Sequence, residues 1–114
     1  MSEECIFCKI VNADMPVSLV YEDEDVLAFN DVNPQAPTHI LVIPREHITG
    51  PAALSPDQET LMGKVLLAAT KVAREAGLED GYRLVMNNGV RAGQTVFHLH
   101  LHVLGGRSMS WPPG

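Results

Sequence analysis

Apolar residues along the chain fall into two periods, and each period marks its own segments. Between 56 and 76, Leu61, Val65, Ala68, Val72 and Ala76, with Leu66 and Ala69 beside them, form a broad stripe at helical spacing. Ser55 supplies an N-cap, Pro56 suits the first helical position, and Gln58 stands three residues after the cap. Gly77 then offers a left-handed stop. A short amphipathic helix is expected over 5–12, ending before Met15-Pro16. Strands are expected over 19–22 and 26–30, joined through the acidic turn Asp23-Glu24-Asp25, and over 39–43, closed by Pro44. Another runs from Arg83 to Asn87, before the turn signal Asn88-Gly89. A glycine-bearing loop covers Val90 to Val96, and a last strand runs from Phe97 to Leu104, ended by Gly105-Gly106. Five hairpin-compatible strands with one long and one short helix predict an α+β fold with an antiparallel sheet.

At 114 residues the chain is the size of one domain, 1–114, with one core. The net charge of −6, with eight of 14 acids at or before Asp31, argues against a nucleic-acid surface, which needs clustered Lys and Arg. The acidic start Met1-Ser2-Glu3-Glu4-Cys5 lacks the basic and apolar regions of a signal peptide, and no apolar run approaches the ~20 residues that span a bilayer. A cytoplasmic location follows as the expectation, with Cys5 and Cys8 as thiols or metal ligands rather than a disulfide.

The last strand changes the picture. In His98-Leu-His-Leu-His-Val103 the alternation is strict, so three of only five histidines share one face, each ~6.6 Å from the next. Leu99, Leu101 and Val103 take the opposite face, toward the core. Three readings compete. An exposed polar face is the plainest, but such faces favour Thr, Lys or Glu. A three-histidine metal centre is strained, because the three span ~13 Å and cannot all reach one ion, so a further ligand would have to come from elsewhere. Nucleophilic catalysis fits best: neutral imidazole attacks phosphorus near pH 7, forming a phosphoramidate that water later hydrolyses. His100, flanked on both sides, is the best-placed nucleophile.

These residues also carry a resemblance. His98-Leu-His-Leu-His-Val-Leu104 resembles the signature of the histidine triad (HIT) superfamily. The longer run Ala92–Arg107, the tail Trp111-Pro-Pro-Gly114 and the run Asp31–Pro44 are similar to its nucleotide-binding, purine nucleoside phosphoramidase branch. The resemblance covers almost the whole chain. It implies a five-stranded sheet extended across a two-fold homodimer. It also implies hydrolysis of purine nucleoside 5′-phosphoramidates, including aminoacyl and lysyl adenylates, through a nucleotidyl-histidine, with no catalytic metal. His100 would be the nucleophile, His102 would contact the phosphate and assist the leaving group, and His39 would complete the cluster. Asp31 would hold the ribose hydroxyls. Phe7, Ile10, Phe29 and Val32 would line the purine slot, with Ile6 nearby, although without the resemblance each of the four reads more readily as core than as pocket wall. Asn87, Gln94, Thr95 and the backbone at Gly93 would surround the phosphate. Thr95 departs from the Ser of the best-known members, which implies a more crowded leaving-group site. Trp111 would approach the partner subunit's active site.

Cys5-x-x-Cys8 on a helix places both thiols on one face, where two further ligands would complete a tetrahedral site. By the resemblance those ligands are His47 and His98, holding a structural zinc. Two other functions stay open: dinucleoside polyphosphate hydrolysis or nucleotidyl transfer, and a nucleotide-binding scaffold whose output is a protein contact.

Overall fold

Residues 26–29 and 40–43 are apolar on both strand faces because both faces of the sheet are covered. In a computed structural model, which describes residues 4–114, the strands are β1 (Leu19–Glu22), β2 (Val26–Asn30), β3 (Thr38–Pro44), β4 (Tyr82–Val85) and β5 (Leu101–Gly105). They form one sheet in the order β1-β2-β3-β5-β4, every pair antiparallel. Residues 1–3, part of the acidic start read above, lie outside the described residues.

The long helix α2 (Glu59–Glu75) turns Val65, Ala68, Ala69, Val72 and Ala73 onto one sheet face. There they meet Val26, Ala28, Ile40, Val42, Leu101 and Val103, the main core. The opposite face carries Leu27, Phe29, Leu41 and Ile43, packed beneath Phe7 and Ile10 of the short helix α1 (Ile6–Val11). The α2 stop is a Schellman turn: Gly77 takes φ +78°, its N–H donates to Arg74 O, and Leu78 N–H reaches back to Ala73 O. The buried Leu78 then packs against Gly105, where an added Cβ would lie 2.6 Å from Leu78 Cδ1.

Three expected boundaries move. Residues 56–58 form a 3₁₀ turn, with the Ser55 N–H bonded to Gln58 Oε1 at 2.9 Å, and the α-helix proper starts at Glu59. β4 begins at Tyr82 and ends at Val85, leaving Asn87 in the loop. The largest correction is the last strand, which begins at Leu101 rather than Phe97. The cause lies in β3: pairing with β5 stops at Val42–Leu101 because Pro44 offers no N–H, and its carbonyl accepts from the His98 ring at 2.8 Å. Leu99 N–H goes instead to Ile48 O. Among the described residues no helix is long and apolar enough to cross a membrane.

Candidate active site and metal centre

The register puts the chemistry on the α1 face. Leu41 stands opposite His102, and His39 opposite Leu104, so His39, Leu41 and His102 share the face that holds Phe29 and Phe7. Leu99, Leu101 and Val103 are buried on the other side, as the alternation predicts. His39 Nε2 lies 2.9 Å from His102 Nδ1 and 3.4 Å from Asp31 Oδ2. The rings of His100 and His102 are 4.9 Å apart, and the Phe7 ring stands edge-on to His100 at 5.2 Å.

Hydrogen-bond partners decide which ring nitrogen carries the hydrogen. The Gln35 N–H donates to His39 Nδ1 at 3.0 Å, so His39 carries its hydrogen on Nε2 and donates to His102 Nδ1. That leaves the His102 hydrogen on Nε2. His100 donates Nδ1–H to the His98 carbonyl at 2.7 Å, which leaves a lone pair on Nε2. Burial pushes the His102 pKa down to about 4, with His100 and His39 acting in the same direction and Asp31 opposing. Burial likewise lowers His39, against the pull of Asp31. Neutral His39 and His102 in defined tautomers result, beside a His100 whose Nδ1–H is committed to a carbonyl.

A second cluster adjoins the first. Cys8 Sγ lies 3.2 Å from His47 Nδ1, both sulfurs lie 3.5 Å from His98 Nδ1, and His47 and His98 bring their Nδ1 atoms to 3.3 Å. All four donor atoms lie within 4.8 Å of one another. Tetrahedral zinc with ordinary Zn–S and Zn–N bonds sets donor separations of about 3.3–3.8 Å. The donor set fits that ion. His98, fully buried at 0% exposure, gives Nε2–H to Pro44 O, so its Nδ1 lone pair faces the other donors. Burial first, and the Cys5 thiol next, raise Cys8 to about 11, a protonated state that a bound cation would reverse.

The remaining predicted residues divide. Phe7, Ile10 and Phe29 are buried in the second core cluster, with the two phenyl rings edge-to-face at 5.5 Å, so they are core and wall together. Val32 is 96% exposed and Trp111 81% exposed, and neither packs into the histidine face of this chain. Ile6 and Thr95 line a cavity beside His47, with Cys5 and Val96. Asp31 also caps a turn, accepting the Asn33 N–H at 2.9 Å. Gln94 is buried and its amide is committed: it accepts from Gly89 N–H and donates to Thr49 O and Val96 O. It braces the loop that contains Gly93, which takes φ +99°. Asn87 is half-buried in the neighbouring turn. Three participants carry no signal in the sequence, because each acts through its backbone: Gln35 N–H, Pro44 O and Ile48 O. A cavity of about 720 Å³ opens elsewhere, between Leu78, Tyr82, Arg83 and Arg107, away from the histidines.

An antiparallel α+β domain with tautomer-fixed histidines clustered on one sheet face defines a histidine-cluster protein. This chain belongs to the HIT domain family, whose profile matches residues 12–109. An uncharacterised HIT-like protein of Synechocystis is 54% identical over 114 residues, with both chains covered completely. A 14 kDa zinc-binding protein of Zea mays is 52% identical over 111 residues, covering 96% of this chain and 87% of its own. The crystal structure of a HIT family hydrolase from Legionella pneumophila superposes with a TM-score of 0.94 at 50% identity, covering 96% of this chain and 99% of that one.

Proposed function

We propose that this chain hydrolyses purine nucleoside 5′-phosphoramidates through a covalent nucleotidyl intermediate on His100. The observation that carries the reading is the His100 Nδ1–H bond to the His98 carbonyl, which reserves the Nε2 lone pair for attack. In the first step that lone pair forms a bond to phosphorus, and the pair of the breaking P–N bond leaves on the amine. The positive charge that develops on the His100 ring is stabilised by the carbonyl already bonded to Nδ1. His102 is neutral in the free protein, but a phosphate anion beside it favours the imidazolium, whose new Nδ1–H displaces the hydrogen bond from His39 Nε2–H. It then gives its Nε2 proton to the departing amine. Neutral again, His102 takes a proton from water, whose oxygen attacks phosphorus, displaces His100 Nε2 and releases the nucleoside monophosphate. Asp31 holds the ribose, and Phe7 and Phe29 flank the base. The hydrolase name of the Legionella relative supports this class of reaction. His100→Ala should abolish turnover while keeping nucleotide binding by calorimetry; turnover near the parent rate contradicts the mechanism.

Cys5, Cys8, His47 and His98 are proposed to hold a structural zinc, supported by the donor spacing and by the zinc-binding name of the maize relative. A homodimer is proposed through the β4 edge. The other edge, β1, is irregular between Leu19 and Tyr21, which blunts it for pairing, and the tail is tied to β4 by Arg83 Nη2 donating to Ser110 O at 2.7 Å. The exposed Trp111 would then reach the partner's site. Sedimentation equilibrium should give about twice the 12.4 kDa chain mass; a monomer mass at micromolar concentration contradicts it.

A further inference from the structure

The segment that carries His100 is not held by the sheet. Ladder pairing begins at Leu101, so residues 98–100 depend on three other bonds. His98 Nε2–H reaches Pro44 O at 2.8 Å, Leu99 N–H reaches Ile48 O at 2.6 Å, and His100 Nδ1–H reaches His98 O at 2.7 Å. His98 makes two of these three, and its remaining ring nitrogen is one corner of the Cys5–Cys8–His47–His98 cluster. The other side of the same cluster is α1. A helix of six residues has no stability of its own. It carries Cys8, is capped by Cys5, and bears Phe7, whose ring meets His98 at 5.9 Å and His100 at 5.2 Å.

We propose that the metal centre positions the nucleophile, beyond its structural role. With an ion bound, Cys5, Cys8 and His47 fix the His98 ring. The His98 carbonyl is then held where it takes the His100 Nδ1–H, and Phe7 is held against the His100 ring. His98 is thus a positioning residue that links metal occupancy to the tautomer of His100. Without the ion, sulfur and nitrogen contacts of 3.2–3.5 Å and the packing of the Phe7 ring are what keep α1 on the 98–100 segment. The inference rests on the reading of His100 as nucleophile. The physical lever is geometric: a displacement of about 1 Å at a reacting atom costs about 100-fold in rate.

The test is ¹⁵N imidazole NMR on full-length protein, loaded with one equivalent of zinc by elemental analysis and then stripped with chelator. Loaded protein should show His100 as a single Nδ1–H tautomer. Stripped protein should show its nitrogens shifted toward a tautomer mixture, with kcat lower by about 10- to 100-fold and restored by zinc. A stripped, folded protein that keeps both the tautomer and kcat overturns the proposal. Should stripping unfold the chain, zinc- and cadmium-loaded forms are compared: the larger ion should move the His98 and His100 signals together. A shifted His98 with an unmoved His100 overturns it equally. Because the tautomer is read on free protein, a loaded enzyme that forms no adduct on His100 would defeat the proposed reaction without deciding this question.

Discussion

At the scale of single residues, four histidines in contact have their hydrogen positions set by backbone groups, directly or through a neighbour: on Nε2 in His39, His98 and His102, and on Nδ1 in His100. Gln35 N–H orders His39, and through it His102; the His98 carbonyl orders His100; the Pro44 carbonyl orders His98. The buried imidazoles also set a pH dependence. Folded His102 titrates near 4, below the ordinary 6.5, so between those values the unfolded chain binds a proton that the folded chain refuses. The stability that His102 contributes is therefore full above about pH 6.5 and is lost as pH falls toward 4. His39, also lowered, adds in the same direction. Urea midpoints measured from pH 7 to pH 4 should fall, and His102→Gln should make that slope shallower; an unchanged slope contradicts the assignment.

At the scale of elements, packing carries the prediction. Gly105 lies where Leu78, just past the α2 stop, closes the core, so Gly105→Ala should destabilise the protein by about 1–3 kcal/mol as the leucine is displaced. A denaturant midpoint equal to the parent's would contradict that contact. The same elements show what the sequence makes legible. The α2 stripe, its proline start and its glycine stop are local signals, and β1 to β3 follow from runs bounded by turn residues, so all four emerge with ends within a few residues. Strand alternation correctly separates the histidines from Leu101 and Val103, although His98 and His100 precede the strand and are placed by the bonds to Pro44 O and Ile48 O. What escapes is non-local: the end of the last strand depends on Pro44, more than fifty residues away, and on a ring that takes the carbonyl a strand would have used. Gln94 shows the same limit: an amide beside a glycine loop suits a phosphate contact, and the bonds its side chain makes to Thr49, Gly89 and Val96 become visible only after folding.

At the scale of the whole molecule, the two faces of the sheet divide the labour. The α2 face is a continuous apolar core, and the α1 face trades part of its core for histidines, so two aromatic walls and two polar clusters share it. His98 stands at the junction of the two clusters, one of the four clustered Cys and His donors and the acceptor, through its carbonyl, of the His100 Nδ1–H. The central claim is that His100 bonds to phosphorus. Full-length protein quenched during turnover of an adenosine phosphoramidate, and read by intact and peptide mass spectrometry, tests it most directly. An adenylyl increment localised to His100, and absent from His100→Ala, is the predicted result. Substrate consumed at full rate with no adduct on that residue, under quenching that preserves phosphoramidates, would contradict it.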